Sequence, residues 1–183
     1  AYLILGLSSC ASYPTIQPQI QNFMLAGRYD QALTTLQKHR QNYGKNNTLL
    51  FLLDRALVLQ FSGQYAQSIP QFEEAKRLYD ELYTQSLSRI GTSWLMNDYR
   101  LPYRGEDFER SMINVFQAIN YAALGDVSGA LVEARQVHVF LTTLNYRYPS
   151  KQKNVYADDA FIRGLMGMLY LAGNSDQYIN DAF

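Results

Sequence analysis

Apolar residues recur at helical spacing along most of this chain, and the runs break at glycines. In "FMLAGRYDQAL" (Phe23–Leu33), "LQFSGQYAQSI" (Leu59–Ile69) and "YAALGDVSGAL" (Tyr121–Leu131), Tyr29, Tyr65 or Val127 follows two places after the glycine. A small residue comes next, at Ala32, Ser68 or Ala130. Inside a continuous helix a glycine costs about 1 kcal/mol against alanine. At a helix end it takes the left-handed conformation with no Cβ in the way. Gly27, Gly63 and Gly125 therefore mark turns between a helix A and a helix B, and the small residue lets the two approach closely.

Gly27 and Gly63 stand 36 positions apart (63 − 27), near the roughly 34-residue period of the tetratricopeptide repeat, which the pattern resembles. Gly63 and Gly125 stand 62 apart (125 − 63), so an extra segment interrupts the array. Helical pattern begins near Ile20. Helix B of the second unit keeps Tyr65, Ile69, Phe72, Ala75, Tyr79, Leu82 and Tyr83 on one face, with Pro70 in its first turns, where a lost backbone donor matters least. The third unit carries Phe108, Met112, Val115, Ile119 and Ala122, then Ala130, Leu131, Ala134, Val137 and Leu141. A fourth begins with Phe161, Leu165, Met168, Leu169 and Ala172 before Gly173, and Ile179-x-x-Ala182-Phe183 repeats Tyr29-x-x-Ala32-Leu33. The expected fold is all-α: a right-handed array of TPR-like helical hairpins, with an irregular insertion near 88–105 and a concave surface lined by A helices.

The chain opens "AYLILGLSSC", and Leu7-Ser8-Ser9-Cys10 matches the bacterial lipobox. The apolar run is far shorter than the roughly 20 residues that span a bilayer and reads as the tail of a signal peptide. Cys10 is the single cysteine, which leaves no disulfide framework. The expected organisation is a truncated lipoprotein signal peptide at 1–9, the lipidated Cys10 and a Pro-containing linker at 10–19, and a repeat domain at 20–183 cut short at its C-terminus. Ala11, rather than Asp, follows the cysteine, which directs the expectation to the outer membrane, facing the periplasm.

Composition changes this picture little. Apolar residues make up 48% and aromatics 14%, with 15 tyrosines; sixteen basic residues balance sixteen acidic ones. With no Lys/Arg block to neutralise phosphates, a nucleic-acid partner is disfavoured. His39 and His138 are solitary, with no His, Cys or carboxylate at ligand spacing. No nucleophile-elbow serine is present, so no catalytic residue, metal or cofactor is expected. Gly164 and Gly167 read as close helix contacts, and Asp158-Asp159 as the first turn of a helix.

The insertion stands out. "SWLMNDYRLPYRGEDFERSM" (Ser93–Met112) holds the only tryptophan and interleaves aromatics with arginines. Trp94, Tyr99, Tyr103, Arg104, Phe108 and Arg110 are candidate partner-binding residues, since these types are enriched at interface hot spots. The same aromatics would also serve to plug the seam between units two and three.

Within Leu101–Val137, Tyr103, Gly105-Glu106, Phe108-Glu109-Arg110, Tyr121, Leu124-Gly125-Asp126, Ala130 and Val132-Glu133-Ala134-Arg135 form a linked set. This set resembles a family of uncharacterised bacterial lipoproteins with tetratricopeptide-like repeats. The resemblance implies an envelope setting and carries over no catalytic residue. The expected function is a non-enzymatic, lipid-anchored scaffold binding a protein or peptide in the repeat groove. The alternative is an accessory of peptidoglycan synthesis that binds glycan or regulates a synthase.

Overall fold

The computed structural model describes residues 13–89, 102–147 and 160–173. Among these every regular element is helical. In chain order they are α1 (Tyr13–Leu25), α2 (Tyr29–Lys38), the single turn α3 (Arg40–Tyr43), a 3-10 turn (Lys45–Asn47), α4 (Thr48–Phe61), α5 (Tyr65–Arg89), α6 (Asp107–Ala123), α7 (Val127–Arg147) and α8 (Ala160–Ala172). Helices α1/α2, α4/α5 and α6/α7 pair as neighbours, and α2, α5 and α7 each also pack on the next long helix, α4, α6 and α8 respectively.

The three turns share one construction. Gly27, Gly63 and Gly125 sit at φ 69°, 77° and 78°. Their N–H groups donate to the carbonyls of Met24, Gln60 and Ala122, at 2.9–3.0 Å, and the following residues (Arg28, Gln64 and Asp126) donate to Phe23, Leu59 and Tyr121. This double bond pattern is a Schellman closure, and it satisfies carbonyls that a helix end leaves open. At the third turn the Asp126 carboxylate also accepts the Gly129 N–H at 2.9 Å, which caps α7. The small residues expected next, Ala32, Ser68 and Ala130, are all fully buried.

Three apolar clusters form the core. The first joins Ile16 and Ile20 of α1, Ala32 and Leu36 of α2, Tyr43, and Phe51 and Val58 of α4. Leu49, Leu52, Leu53 and Ala56 of α4, Phe72, Ala75 and Tyr79 of α5, and Ile113 of α6 make the second. The third joins Val115 and Ala118 of α6, five residues of α7, and Met166 and Tyr170 of α8. Each cluster consists of one helix pair and the first helix of the next. Helices α4 and α6 therefore bury two faces each.

Several expectations need correction. Residues 13–19 are not linker: α1 begins at Tyr13 and includes Pro18. A proline inside a helix costs about 3 kcal/mol, but Ile16 and Ile20 are both buried one turn apart, and each contributes roughly 1.5–3 kcal/mol. Burial wins. Helix α5 runs to Arg89, and residues 102–106 ahead of α6 have no regular structure; residues 90–101 lie outside the described residues. Gly164 is exposed with nothing near its Cβ position, so it makes no close helix contact among the described residues. Asp158 and Asp159 lie outside the described residues, as does the segment after Gly173.

Gly105 is a glycine for a second reason. It has φ 79° and is buried, and a Cβ there would stand 2.7 Å from the Tyr79 ring and 3.1 Å from Leu49 Cδ2. At Gly125 a Cβ would meet nothing within 4 Å. Replacing Gly125 by alanine is expected to cost about 1 kcal/mol, from backbone strain alone. Gly105→Ala adds overpacking of about 1–3 kcal/mol. Thermal melts should show a drop of about 2–4 °C for the first variant and at least twice that for the second; equal drops would contradict the contact at Gly105.

Candidate functional site

Of the six residues expected to bind a partner, four fall among the described ones, and the structure separates them. Tyr103 is half-buried against the second cluster. Its N–H donates to the Asn46 carbonyl at 2.7 Å and its hydroxyl to the Glu109 carboxylate. Glu109 also accepts the Glu106 N–H at 2.8 Å, closing a capping box at the start of α6. Arg110 is buried: it pairs with Asp80 at 3.1 Å, donates to Asn114 and lies over the Tyr79 and Phe140 rings. Both residues are engaged in the seam between α5 and α6. Arg104 is exposed and Phe108 is 38% exposed. Trp94 and Tyr99, like Cys10, lie outside the described residues.

The seam that Arg110 enters holds a row of polar side chains beside its apolar contacts, which the apolar periodicity of α6 did not reveal. Asn114, Gln117 and Asn120 are fully buried beside it. Gln117 donates to Glu73 at 2.6 Å and Asn120 to the Ser68 hydroxyl, which itself donates to the Ala56 carbonyl at 2.8 Å. Gln60 reaches from α4 to the Phe116 carbonyl, and Lys76 of α5 pairs with Glu133 of α7 at 3.1 Å. The sequence signal was there: polar residues at 110, 114, 117 and 120 keep helical spacing of their own. Among the described residues, Gln60 Oε1, Asn114 Nδ2, Gln117 Oε1 and Asn120 Oδ1 have no hydrogen-bond partner, each a cost of about 1–3 kcal/mol.

Burial raises two carboxylates. Desolvation pushes Glu133 above its ordinary value, with Lys76 pulling the other way. Asp54 is also raised by desolvation, although the Tyr43 hydroxyl donates to it at 2.6 Å and lowers it in part. Glu133 shares Lys76 with Glu73, at 3.1 and 3.6 Å. Among the described residues no group of three or more His, Cys, Asp or Glu side chains could hold a metal ion. His39 is half-buried and His138 exposed.

An open recess lies elsewhere, where α2, α4 and α5 meet. It is a groove of about 670 Å³ lined by Leu33, Thr34, Leu36, Gln37, Lys38, Arg55, Leu59 and Gln67. Leu36 and Leu59 are buried and form the floor. Arg55 donates weakly to Gln37 at 3.4 Å, and neither Lys38 nor Arg55 forms an ion pair with a carboxylate among the described residues. An apolar floor, amide and hydroxyl groups at the rim and two cations are what the arrangement offers. It draws on two B helices and one A helix, rather than on A helices alone.

Comparison of the chain with protein-family models, with curated proteins and with solved structures gave no match. No described helix is long and apolar enough to cross a membrane.

Tyr103 and Arg104, adjacent in sequence, should differ sharply on substitution. Tyr103→Ala removes the ring from the cluster and a hydroxyl from Glu109, and is expected to cost about 2–3 kcal/mol. Arg104→Ala should stay within about 0.5 kcal/mol of the parent. Urea unfolding followed by circular dichroism reads both; a Tyr103→Ala protein as stable as the parent would return Tyr103 to the recognition reading.

Proposed function

We propose that this chain is a non-enzymatic protein-binding scaffold of TPR-like helical hairpins, held to the bacterial envelope through a lipid on Cys10. The observation that carries the scaffold reading is the core itself. Each cluster joins one hairpin to the first helix of the next, the mode of assembly that gives repeat proteins extended binding surfaces. The recurrent glycine turns and buried small residues support the tetratricopeptide-like assignment.

The α2/α4/α5 groove is the seat for the partner. Its floor of Leu36 and Leu59 takes aliphatic side chains, and Lys38 and Arg55 at its rim take carboxylates. The partner is accordingly a peptide segment carrying acidic and aliphatic residues. Such a site selects by electrostatic complementarity around an apolar anchor. Panning a displayed random-peptide library on the parent protein should enrich acidic-aliphatic sequences, and the Lys38→Glu/Arg55→Glu protein should lose them by at least about tenfold, one power of ten being about 1.4 kcal/mol. No enrichment, or the same peptides on both proteins, would sink the groove reading.

The anchor rests on Leu7-Ser8-Ser9-Cys10. Cleavage before Cys10, with diacylation of the thiol and acylation of the new amine, supplies three chains at about 0.8 kcal/mol per buried CH₂, and two already anchor stably. Cells expressing the full-length gene should carry the protein in the detergent phase and float it with outer membrane, facing the periplasm. The Cys10→Ala form should do neither. If both forms partition as free protein, the lipid anchor is refuted.

A further inference from the structure

The recess between α2, α4 and α5 has a counterpart one unit on, between α5, α6 and α7. The turn glycines set the register. Helix α2 maps onto α5 by 36 positions (63 − 27), and α4 and α5 map onto α6 and α7 by 62 (125 − 63). The contacts agree with it. Arg55 donates to Gln37 at 3.4 Å; its counterpart Gln117 donates to Glu73, the counterpart of Gln37, at 2.6 Å. What fills the two places differs. At the second junction Tyr121 lies against Gly129, where a Cβ would stand 2.7 Å from its ring. Burial, and then the carboxylates of Glu73, Glu133 and Asp126, hold the Tyr121 hydroxyl above the ordinary phenol value, which sets all three acids about the ring. At the first junction Leu59 and Gln67 stand for Tyr121 and Gly129. Both line the open recess of about 670 Å³, within the roughly 300–1,000 Å³ usual for ligand pockets. Glutamines replace the three acids, Gln37 for Glu73, Gln71 for Glu133 and Gln64 for Asp126, and Lys38 replaces Glu74.

We propose that the recess takes one aromatic side chain of the bound segment, seated above Leu59 as Tyr121 is seated at the next junction, and flanked in its own sequence by carboxylates. This aromatic seat rests on the peptide groove proposed above and adds a third requirement to the acidic and aliphatic ones. The molecule itself closes the equivalent place with a ring. The rim favours a ring as well: Lys38 and Arg55 line the recess, and a cation over an aromatic face gains an attraction that an aliphatic side chain does not offer. The same unit already uses it, with the Arg40 guanidinium 4.9 Å from the centre of the Phe51 ring. The surroundings decide the flanks. Beside Tyr121 a further carboxylate would meet Glu73, Glu133 and Asp126. Beside the recess it meets amides and two cations, so the change of charge between the junctions turns a place closed by the chain's own ring into one open to an anionic segment.

Fluorescence anisotropy on the full chain tests it with two labelled, capped peptides. They share one frame of glutamates and leucines and differ at a single central position, tyrosine in one and leucine in the other. The tyrosine peptide should bind the parent protein about fivefold more tightly. Leu59→Tyr with Gln67→Gly installs the ring and the glycine of the second junction, and should bring the tyrosine peptide down to the affinity of the leucine peptide. Gln67→Trp, at an exposed position, fills the mouth without touching the buried floor and should do the same, so the result does not hang on the double variant folding. Equal affinity of the two peptides for the parent, with both lost in the Lys38→Glu/Arg55→Glu protein, would overturn the aromatic seat and leave the groove standing. A tyrosine preference that survives in the filled variants would also overturn it, since the ring would then sit elsewhere. If neither peptide binds the parent, the groove and the seat fall together.

Discussion

Helix α6 has to satisfy two neighbours at once, and the rest of the array depends on how it does so. One side carries Val115 and Ala118 into the cluster with α7; another carries Ile113 and Phe116 back into the cluster with α4 and α5. Between these sides lies the polar row of Arg110, Asn114, Gln117 and Asn120. A helix that meets solvent on one side needs a single apolar stripe. A helix clamped between pairs must be acceptable to its surroundings nearly all round. The same constraint acts on α4, which meets it with apolar residues: Phe51 and Val58 on one side, and Leu49, Leu52, Leu53 and Ala56 on the other. The two junctions are thus built alike and filled differently.

The polar filling of the α5/α6 junction costs stability and fixes register. Among the described residues, one amide atom each of Asn114, Gln117 and Asn120 goes unpartnered, and Arg110 is held in a buried position where its Asp80 partner remains largely exposed. An apolar junction of leucines would tolerate a slip of one turn at modest cost. Here a slip of α6 by one turn would take Arg110 from Asp80 and from the ring faces of Tyr79 and Phe140, and Asn120 from Ser68. Stranding a buried charge costs about 3–5 kcal/mol, far more than the misfit of aliphatic side chains of similar size. The capping box at Glu106 and Glu109 and the Asn46–Tyr103 backbone bond hold the entry to α6 in the same register. The seam works as a stop that places the third pair against the second.

The parts of this structure legible in the sequence are those set by local chemistry. Gly27, Gly63 and Gly125 announced their turns because a left-handed residue after a helix has few alternatives to glycine. Ala32, Ser68 and Ala130 announced close approach because a bulky residue there would hold two helices apart. What local chemistry does not set was misread. Two prolines at 14 and 18 looked like linker, and only the joint burial of Ile16 and Ile20 on a distant helix outweighs them. For Arg110 and Tyr103 composition pointed to recognition and was blind to the seam contacts that both make. The buried amides of α6 were missed for a related reason: a polar residue scores as solvent-facing until its bonding partner on another helix is known.

The groove between α2, α4 and α5 was out of reach of the sequence for geometric reasons, since Leu33, Arg55 and Gln67 come from three helices and share no period. Its construction also bears on what it can do. Leu36 belongs to the first core cluster and Leu59 is buried in α4, so the floor is made of residues already fixed by the fold. A peptide settling there would order its own chain and little of the protein. Association is weakened by every side chain or loop that must be immobilised on binding, and a floor borrowed from the core removes much of that cost. The flexible groups, Lys38 and Arg55, stand at the rim, where long cationic side chains can reach toward a carboxylate while the aliphatic contacts beneath them stay in place. Rigid floor and mobile rim follow from one circumstance: the recess opens where successive helix pairs meet, directly above the residues that join them.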